Sequence, residues 1–184
     1  MDRRSFLTQA ASLAAAVATT GAIAAPFYSR PLFATEPDMS DPTTQKVEKL
    51  KKSKAEWKKL LPDDAYDILF EEGTEYAGSS PLNKEHRDGT FVCAACFYPL
   101  FRSEDKFESG TGWPSFVRSM AGHVETKRDF KLVLPRTEYH CARCGGHQGH
   151  VFDDGPPPTG KRFCNNGLAL RFVPAGEQMP TLRT

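Results

Sequence analysis

The sequence lacks a net charge of either sign, because 24 Lys and Arg residues offset 23 Asp and Glu residues to leave a formal charge of +1. A nucleic-acid-binding domain is usually strongly basic, so this balance argues against a DNA or RNA partner. Internal repeats are missing, as are low-complexity tracts beyond the N-terminus. With 184 residues, the chain is expected to hold one domain with appendages.

Cysteine is scarce: there are five residues, and four of them form two Cys-x-x-Cys pairs. Cys93 and Cys96 make the first pair, and Cys141 and Cys144 make the second. This spacing lets one backbone turn aim two sulfurs at a single ion, and four thiolates complete a closed tetrahedral zinc site. We therefore expect one structural zinc ion that joins the two pairs. Two disulfides, or four independent thiols, are the alternatives.

The fifth cysteine, Cys164, is left over from these pairs. It lies in a strand-like run over residues 162–166, in which Arg162, Cys164 and Asn166 are expected to share one face. A guanidinium beside a thiol favours the thiolate, and the Asn166 amide can donate to a developing negative charge. The alternative is a buried, inert cysteine flanked by surface polar residues.

Two further motifs carry candidate functional residues. His147 and His150 follow the second Cys pair at once, so a metal there would position both imidazoles, which can serve as proton donor and orienting group. The segment 110–116, Gly-Thr-Gly-Trp-Pro-Ser-Phe, delivers a tryptophan between glycines and a proline, which suits the wall of a small apolar pocket. Surface or packing histidines and a core tryptophan are the simpler alternatives.

Residues 1–30 are predicted to be an export signal rather than part of the fold. Arg3-Arg4 precedes Ser-Phe-Leu and an Ala-rich run, which is similar to a twin-arginine signal, although Asp2 and Thr8 depart from that pattern. An uncleaved membrane anchor is the alternative. Export would place the protein in the bacterial periplasm or outside the cell, with membrane contact only through the signal.

The remaining chain divides into three parts. Residues 31–45 contain several prolines and are expected to be a flexible tether, residues 46–176 the folded domain, and residues 177–184 a C-terminal tail. Apolar residues recur at helical spacing over residues 47–61, and a start signal follows at Pro62, which predicts short N-terminal helices.

From Thr90 onward the pattern changes to short apolar runs separated by turns, one of them over residues 131–134. Fourteen glycines and fourteen prolines in the chain fit many turns, and no long helical pattern occurs in this part. We therefore predict a mainly β fold with two antiparallel sheets packed as a rolled sandwich, with zinc fastening one end.

In their order along the chain, these motifs resemble those of methionine-R-sulfoxide reductases of the B type. The resemblance covers residues 46–173 and implies two antiparallel sheets, N-terminal helices and a structural zinc ion. It implies an enzyme that reduces the R epimer of methionine sulfoxide, in oxidised proteins or free, and we expect a monomer. The motifs are Cys93-x-x-Cys96, Gly110-Thr-Gly-Trp113-Pro-Ser-Phe116, Cys141-x-x-Cys144, His147-x-x-His150-Val-Phe and Arg162-Phe-Cys164-x-Asn166.

The resemblance also implies a role for each motif residue. Cys164 corresponds to the nucleophile that attacks the sulfoxide sulfur, and His147 and His150 to the groups that bind and protonate its oxygen. The other positions with an implied role are Arg162 and Asn166, which tune and hydrogen-bond the thiolate, and Trp113, Phe116 and Phe152, which contact the substrate.

One position departs from the pattern of many relatives, which carry a resolving cysteine where this chain has Thr111. The cysteine count leaves no other candidate. We therefore predict a one-cysteine cycle, in which a sulfenic acid on Cys164 is reduced by an external thioredoxin-like or small thiol. The competing interpretations are a zinc-ribbon binding module and a zinc-thiol redox sensor.

Overall fold

The structure, a computed structural model, describes residues 47–130 and 135–184. The predicted export signal over 1–30, the predicted tether over 31–45 and the apolar run over 131–134 lie outside the described residues. Within the described ranges, no helix has the length and apolar character needed to cross a membrane.

Two short α-helices precede the strands, as predicted. The helices are α1 (Lys54–Leu60) and α2 (Asp63–Glu71). Nine strands follow in the described ranges: β1 (Gly89–Cys93), β2 (Pro99–Arg102), β3 (Lys106–Phe107), β4 (Ser115–Phe116), β5 (Val124–Asp129), β6 (Arg136–Cys141), β7 (His147–Phe152), β8 (Arg162–Asn165) and β9 (Leu170–Pro174).

The first helix begins later than the apolar spacing predicts. Ser53 caps α1, and its side chain and that of Glu56 exchange hydrogen bonds with each other's backbone N–H groups in a capping box. Before the cap, the backbone N–H of Leu50 donates to the carbonyl oxygen of Arg143 at 2.7 Å. Residues 47–52 are therefore non-helical chain anchored at the turn of the second Cys pair, because tertiary hydrogen bonding overrides the local spacing.

All strand pairings are antiparallel, and they form two sheets. The smaller sheet has the order β2-β1-β9, and the larger has the order β3-β4-β8-β7-β6-β5. The predicted mainly β fold with two antiparallel sheets and short N-terminal helices is confirmed. The first Cys pair follows the smaller sheet through β1, and the second follows the larger through β6.

An aromatic core joins the two sheets. Phe91 and Phe101 come from the smaller sheet, and Phe116, Tyr139 and Phe163 come from the larger. Phe116 is fully buried, its ring stacked 4.1 Å from that of Phe101 and edge-on to that of Phe91 at 5.0 Å. Phe116, expected at the substrate, is therefore a core residue, since strand pairing turns it away from the side of the sheet that carries Cys164.

The side of the larger sheet that carries Cys164 has a line of polar residues running across the strands. Strand register pairs Ser115 with Cys164, Cys164 with His150, His150 with Glu138, and Glu138 with Lys127. Directly paired residues point to the same side of a sheet. The fold therefore makes Cys164 and His150 immediate cross-strand neighbours.

Candidate active site and metal site

The two Cys pairs lie in turns that bring four sulfur atoms together. All four Sγ atoms lie within 4.8 Å of one another, with 3.7 Å between Cys93 and Cys144 and 3.6 Å between Cys96 and Cys141. A tetrahedral shell with Zn–S bonds of about 2.3 Å places its sulfurs about 3.8 Å apart. These four residues could hold one metal ion, and the sulfur set and spacing fit structural zinc. All five cysteines are described, and none is in a disulfide.

In each of the two turns, the residue directly after the second cysteine has a left-handed backbone conformation. Gly145 has φ of 74° and Phe97 has φ of 62°. A non-glycine residue in this region costs on the order of 1 kcal/mol or more, and Phe97 is held there by two cation–π contacts. The guanidinium carbons of Arg183 and Arg171 lie 4.4 Å and 5.6 Å from its ring centroid.

The predicted C-terminal tail, residues 177–184, contacts the metal site. The backbone N–H of Arg183 donates to the carbonyl of Cys96 at 3.2 Å, and its Nη1 donates to the carbonyl of Ala95 at 2.9 Å. Nη1 of Arg143 in turn donates to the carbonyl of Arg183 at 2.7 Å. Arg183 therefore ties the turn of the first Cys pair to that of the second.

Cys164 opens onto a cavity of about 130 Å³, a size suited to one amino-acid side chain. A cavity of about 680 Å³ lies elsewhere and has Arg118 and Asp105 in its wall, already paired with each other at 2.6 Å. The smaller cavity is the candidate active site because it holds the free thiol. Its wall consists of Thr74, Trp113, Arg136, Gly149, His150, Phe152, Cys164, Asn165 and Asn166.

Burial raises the pKa of the half-buried Cys164 thiol, and the charge of Arg162 acts in the opposite direction. Hydrogen bonds from Thr111 and Arg162 also lower the pKa, whereas the carboxylate of Asp154 raises it. Arg162 thus has the predicted effect on the thiol, but in the free protein desolvation outweighs it.

Arg162 is fixed from two sides. Its Nε and Nη2 donate to the two carboxylate oxygens of Asp154, each at 2.8 Å. Its guanidinium carbon lies 4.3 Å from the centroid of the Phe152 ring. Because Phe152 also lines the cavity, this stack links the residue that tunes the thiol to a wall that substrate would touch.

A β-bulge in β7 brings two histidines to one side of the sheet. Residues three apart on a regular strand point to opposite sides. The register between β6 and β7 shifts from Tyr139–Gly149 to His140–His147, and the extra residue turns the strand locally. The rings of His147 and His150 are consequently neighbours, with centroids 5.6 Å apart.

The two histidines occupy different positions relative to the cavity. His150 lines it beside Cys164, whereas His147 does not and lies behind His150 with only 3% of its side chain exposed. Nδ1 of His147 is 3.0 Å from Oε1 of Glu138, in a contact that is not aligned as a hydrogen bond. Burial lowers the pKa of His147, and the Glu138 carboxylate opposes that shift. The predicted convergence on Cys164 therefore holds for His150 alone.

Trp113 and Asn166 both line the cavity and are both held by Glu75. The indole Nε1–H of Trp113 donates to the carbonyl oxygen of Glu75 at 3.3 Å, and the Glu75 N–H donates to Oδ1 of Asn166 at 3.2 Å. The Glu75 carboxylate accepts from the N–H groups of Gly167 at 2.6 Å and Leu168 at 3.0 Å. One buried residue therefore fixes two walls of the cavity.

Asn166 also donates from Nδ2 to the carbonyl oxygen of Gln148 at 3.1 Å. Gln148 Nε2 lies 3.5 Å from Cys93 Sγ, and its Oε1 accepts from Asn165 Nδ2 at 3.4 Å. This fully buried glutamine joins a metal ligand to the residue after Cys164. The metal site therefore supports the cavity directly as well as through the fold.

The sequence is similar to that of known proteins. The SelR domain matches residues 61–174. Proteins named peptide methionine sulfoxide reductase MsrB are 49% identical over 66% of this chain in Leptospira interrogans, 45% over 75% in Bradyrhizobium diazoefficiens and 47% over 74% in Agrobacterium fabrum. The chain belongs to the MsrB family. Its matches span 93% to 99% of those three MsrB proteins, so the shared part is nearly their entire length.

Several residues at this MsrB-family site are not indicated by sequence motifs. Glu75 contacts Gly167 across 92 positions, and Asp129 contacts His150 across 21, so neither spacing is local. In β5 four consecutive residues, 125–128, are exposed and polar, and alternation therefore gives no sign of which side Asp129 faces. The residues missed are Thr74, Glu75, Asp129, Arg136 and Glu138.

Proposed function

We propose that this chain reduces the R epimer of methionine sulfoxide to methionine, with Cys164 as the nucleophile. One observation carries this proposal: the single thiol outside the metal site opens onto a small cavity beside its cross-strand neighbour His150. Its MsrB relatives are named as peptide methionine sulfoxide reductases, which supports the same reaction here.

The chemistry requires a thiolate and an acid at one sulfoxide. The Cys164 sulfur attacks the sulfoxide sulfur while His150 gives a proton to the oxygen, which is a poor leaving group until it is protonated. The methionine sulfur is reduced, the oxygen passes to Cys164 as a sulfenic acid, and methionine leaves.

Stereochemical selection follows from three fixed walls. Trp113 and Phe152 offer aromatic surface for the S-methyl group, His150 marks the side on which the oxygen is protonated, and Cys164 fixes the line of attack. A chiral sulfur satisfies all three contacts in one configuration only, because exchanging oxygen and methyl would put the oxygen against an apolar ring.

Regeneration of Cys164 uses an external thiol in this proposal. Thr111, which lowers the pKa of the Cys164 thiol, stands where many relatives carry a resolving cysteine, and the other four thiols belong to the metal site. A thioredoxin-like protein or small thiol attacks the sulfenic sulfur, water leaves, and a second thiol reduces the mixed disulfide. The enzyme acts as a monomer on methionine sulfoxide, in oxidised proteins or free.

We also propose that residues 1–30 export the protein by the twin-arginine route. The Arg3-Arg4 pair and the Ala-rich run support this, and the route carries folded proteins, so zinc can be loaded before export. Replacing both arginines with lysine should retain the protein in the cytoplasm, as measured by cell fractionation. Unchanged periplasmic recovery of that double variant would refute the proposal.

The experiment that tests the function scores the two epimers separately. Purified protein with a dithiol reductant is expected to convert R but not S methionine sulfoxide, and Cys164→Ser is expected to lose the activity while keeping its bound zinc. Equal use of both epimers contradicts the proposed site. An unchanged rate in Cys164→Ser would rule out Cys164 as the nucleophile, and a wild-type protein that reduces neither epimer would instead favour a binding module or a zinc-thiol sensor.

A further inference from the structure

The histidine that lines the cavity has a carboxylate partner on a distant strand. Nε2 of His150 lies 2.8 Å from Oδ2 of Asp129, and their side chains are only 13% and 4% exposed. His150 is on β7 and Asp129 ends β5, so the carboxylate reaches across β6. The contact between His150 and Asp129 is buried, and it lies on the same side of the sheet as Cys164.

Asp129 is itself held in place by register and charge. It is the direct cross-strand partner of Arg136, whose Nη2 donates to the same oxygen, Oδ2, at 2.6 Å. Arg136 also lines the cavity. The guanidinium compensates the buried negative charge, which would otherwise be costly to remove from water, and two donors converging on one oxygen fix its direction.

This contact assigns the two ring nitrogens of His150. An ionised carboxylate only accepts hydrogen bonds, so Nε2 must carry the hydrogen that faces Asp129. Nδ1 forms no hydrogen bond within the described part of the chain, and it is not among the buried unpaired atoms. Nδ1 is therefore the nitrogen open to a molecule in the cavity.

We propose that Asp129 is a positioning residue for His150: it holds Nε2–H and thereby reserves Nδ1 for the sulfoxide oxygen. This inference rests on the proposed function. When the ring is protonated, Nδ1–H gives its proton to the oxygen as Cys164 attacks the sulfur, and the neutral ring that remains keeps Nε2–H bonded to Asp129. General acids of this kind contribute about 10²–10⁴-fold to rate, and a wrongly oriented ring loses part of that.

The test combines imidazole ¹⁵N NMR with steady-state kinetics on zinc-loaded protein. In wild type, the neutral His150 ring should be the Nε2–H form. Asp129→Asn can present either its oxygen or its amide to the ring, so the tautomer should become mixed, with kcat for R methionine sulfoxide falling about 10- to 100-fold and little change in KM. Asp129→Glu restores a carboxylate and should recover part of kcat.

Asp105 provides a matched control, because it is another buried carboxylate paired with an arginine. Its Oδ1 accepts from Arg118 Nε at 2.6 Å with 7% of its side chain exposed, and it does not line the active-site cavity. Asp105→Asn should leave kcat and the His150 signals unchanged.

An Nδ1–H tautomer in the wild type would overturn the proposal, and that measurement needs no variant to fold. An equal loss of kcat in the Asp105 and Asp129 variants, or an unchanged kcat in Asp129→Asn, would overturn it too. Failure of the proposed function can be told apart from failure of this inference, because a wild-type protein that reduces no sulfoxide would still show the Nε2–H tautomer of His150 by NMR.

Discussion

Removing the carboxylate of Glu75 should destabilise the folded protein more than most single substitutions do. It is 7% exposed and accepts from two backbone N–H groups, Gly167 at 2.6 Å and Leu168 at 3.0 Å. Hydrogen bonds to a charged group contribute about 1.5–3 kcal/mol each. Glu75→Ala should therefore lower the free energy of unfolding by about 3–5 kcal/mol, and Glu75→Gln, which keeps one acceptor oxygen, by about 1–2 kcal/mol.

Urea unfolding of zinc-loaded protein, followed by circular dichroism, measures this loss. The matched control is Glu104→Ala, whose carboxylate is 64% exposed and 3.4 Å from Arg102, so its effect should stay within about 0.5 kcal/mol. If Glu75→Ala unfolds at the same urea concentration as Glu104→Ala, the carboxylate does not hold the segment that contains Gly167.

Three further perturbations test other parts of the site. Because the charge of Arg162 lowers the pKa of Cys164, Arg162→Met should move the pH midpoint of Cys164 alkylation upward. Arg162→Lys keeps the charge and should move the midpoint less. An unchanged midpoint in both variants would refute this role of Arg162. Removing zinc with a chelator should unfold the domain and abolish activity together, since the four sulfurs join the ends of β1 and β6. If activity survives after atomic absorption shows that all the metal has been lost, the ion is not structural. Thr111→Cys should form a disulfide with Cys164 after one turnover without reductant, seen by peptide mapping, whereas wild type should form none.

The metal site and the candidate nucleophile could be picked out from the sequence because their geometry is local. A Cys-x-x-Cys turn determines where two sulfurs point, and the alternation of residues 162–164 places Arg162 and Cys164 on one side of a strand. Phe116 was assigned wrongly because its motif neighbour Trp113 lines the cavity, whereas strand pairing with Phe163 turns Phe116 into the core. Motif proximity does not specify the side of a sheet.

The two histidines show a second limit. Their spacing of three is incompatible with one side of a regular strand, and only the bulge at His147 resolves this. The bulge still leaves His147 behind His150 rather than beside Cys164. Asp129 and Glu75 depend on contacts across 21 and 92 positions, which periodicity cannot reveal because it reports only on a residue's own element.

The most direct test of the central claim is mass spectrometry of Cys164 after a single turnover without reductant. Zinc-loaded protein is mixed with R methionine sulfoxide and a sulfenic-acid trap, and the methionine released is counted. We predict one trapped sulfenic acid on Cys164 for each methionine formed, with the four metal-site cysteines unmodified. A disulfide involving Cys164, or methionine formed while Cys164 remains a thiol, would contradict the account.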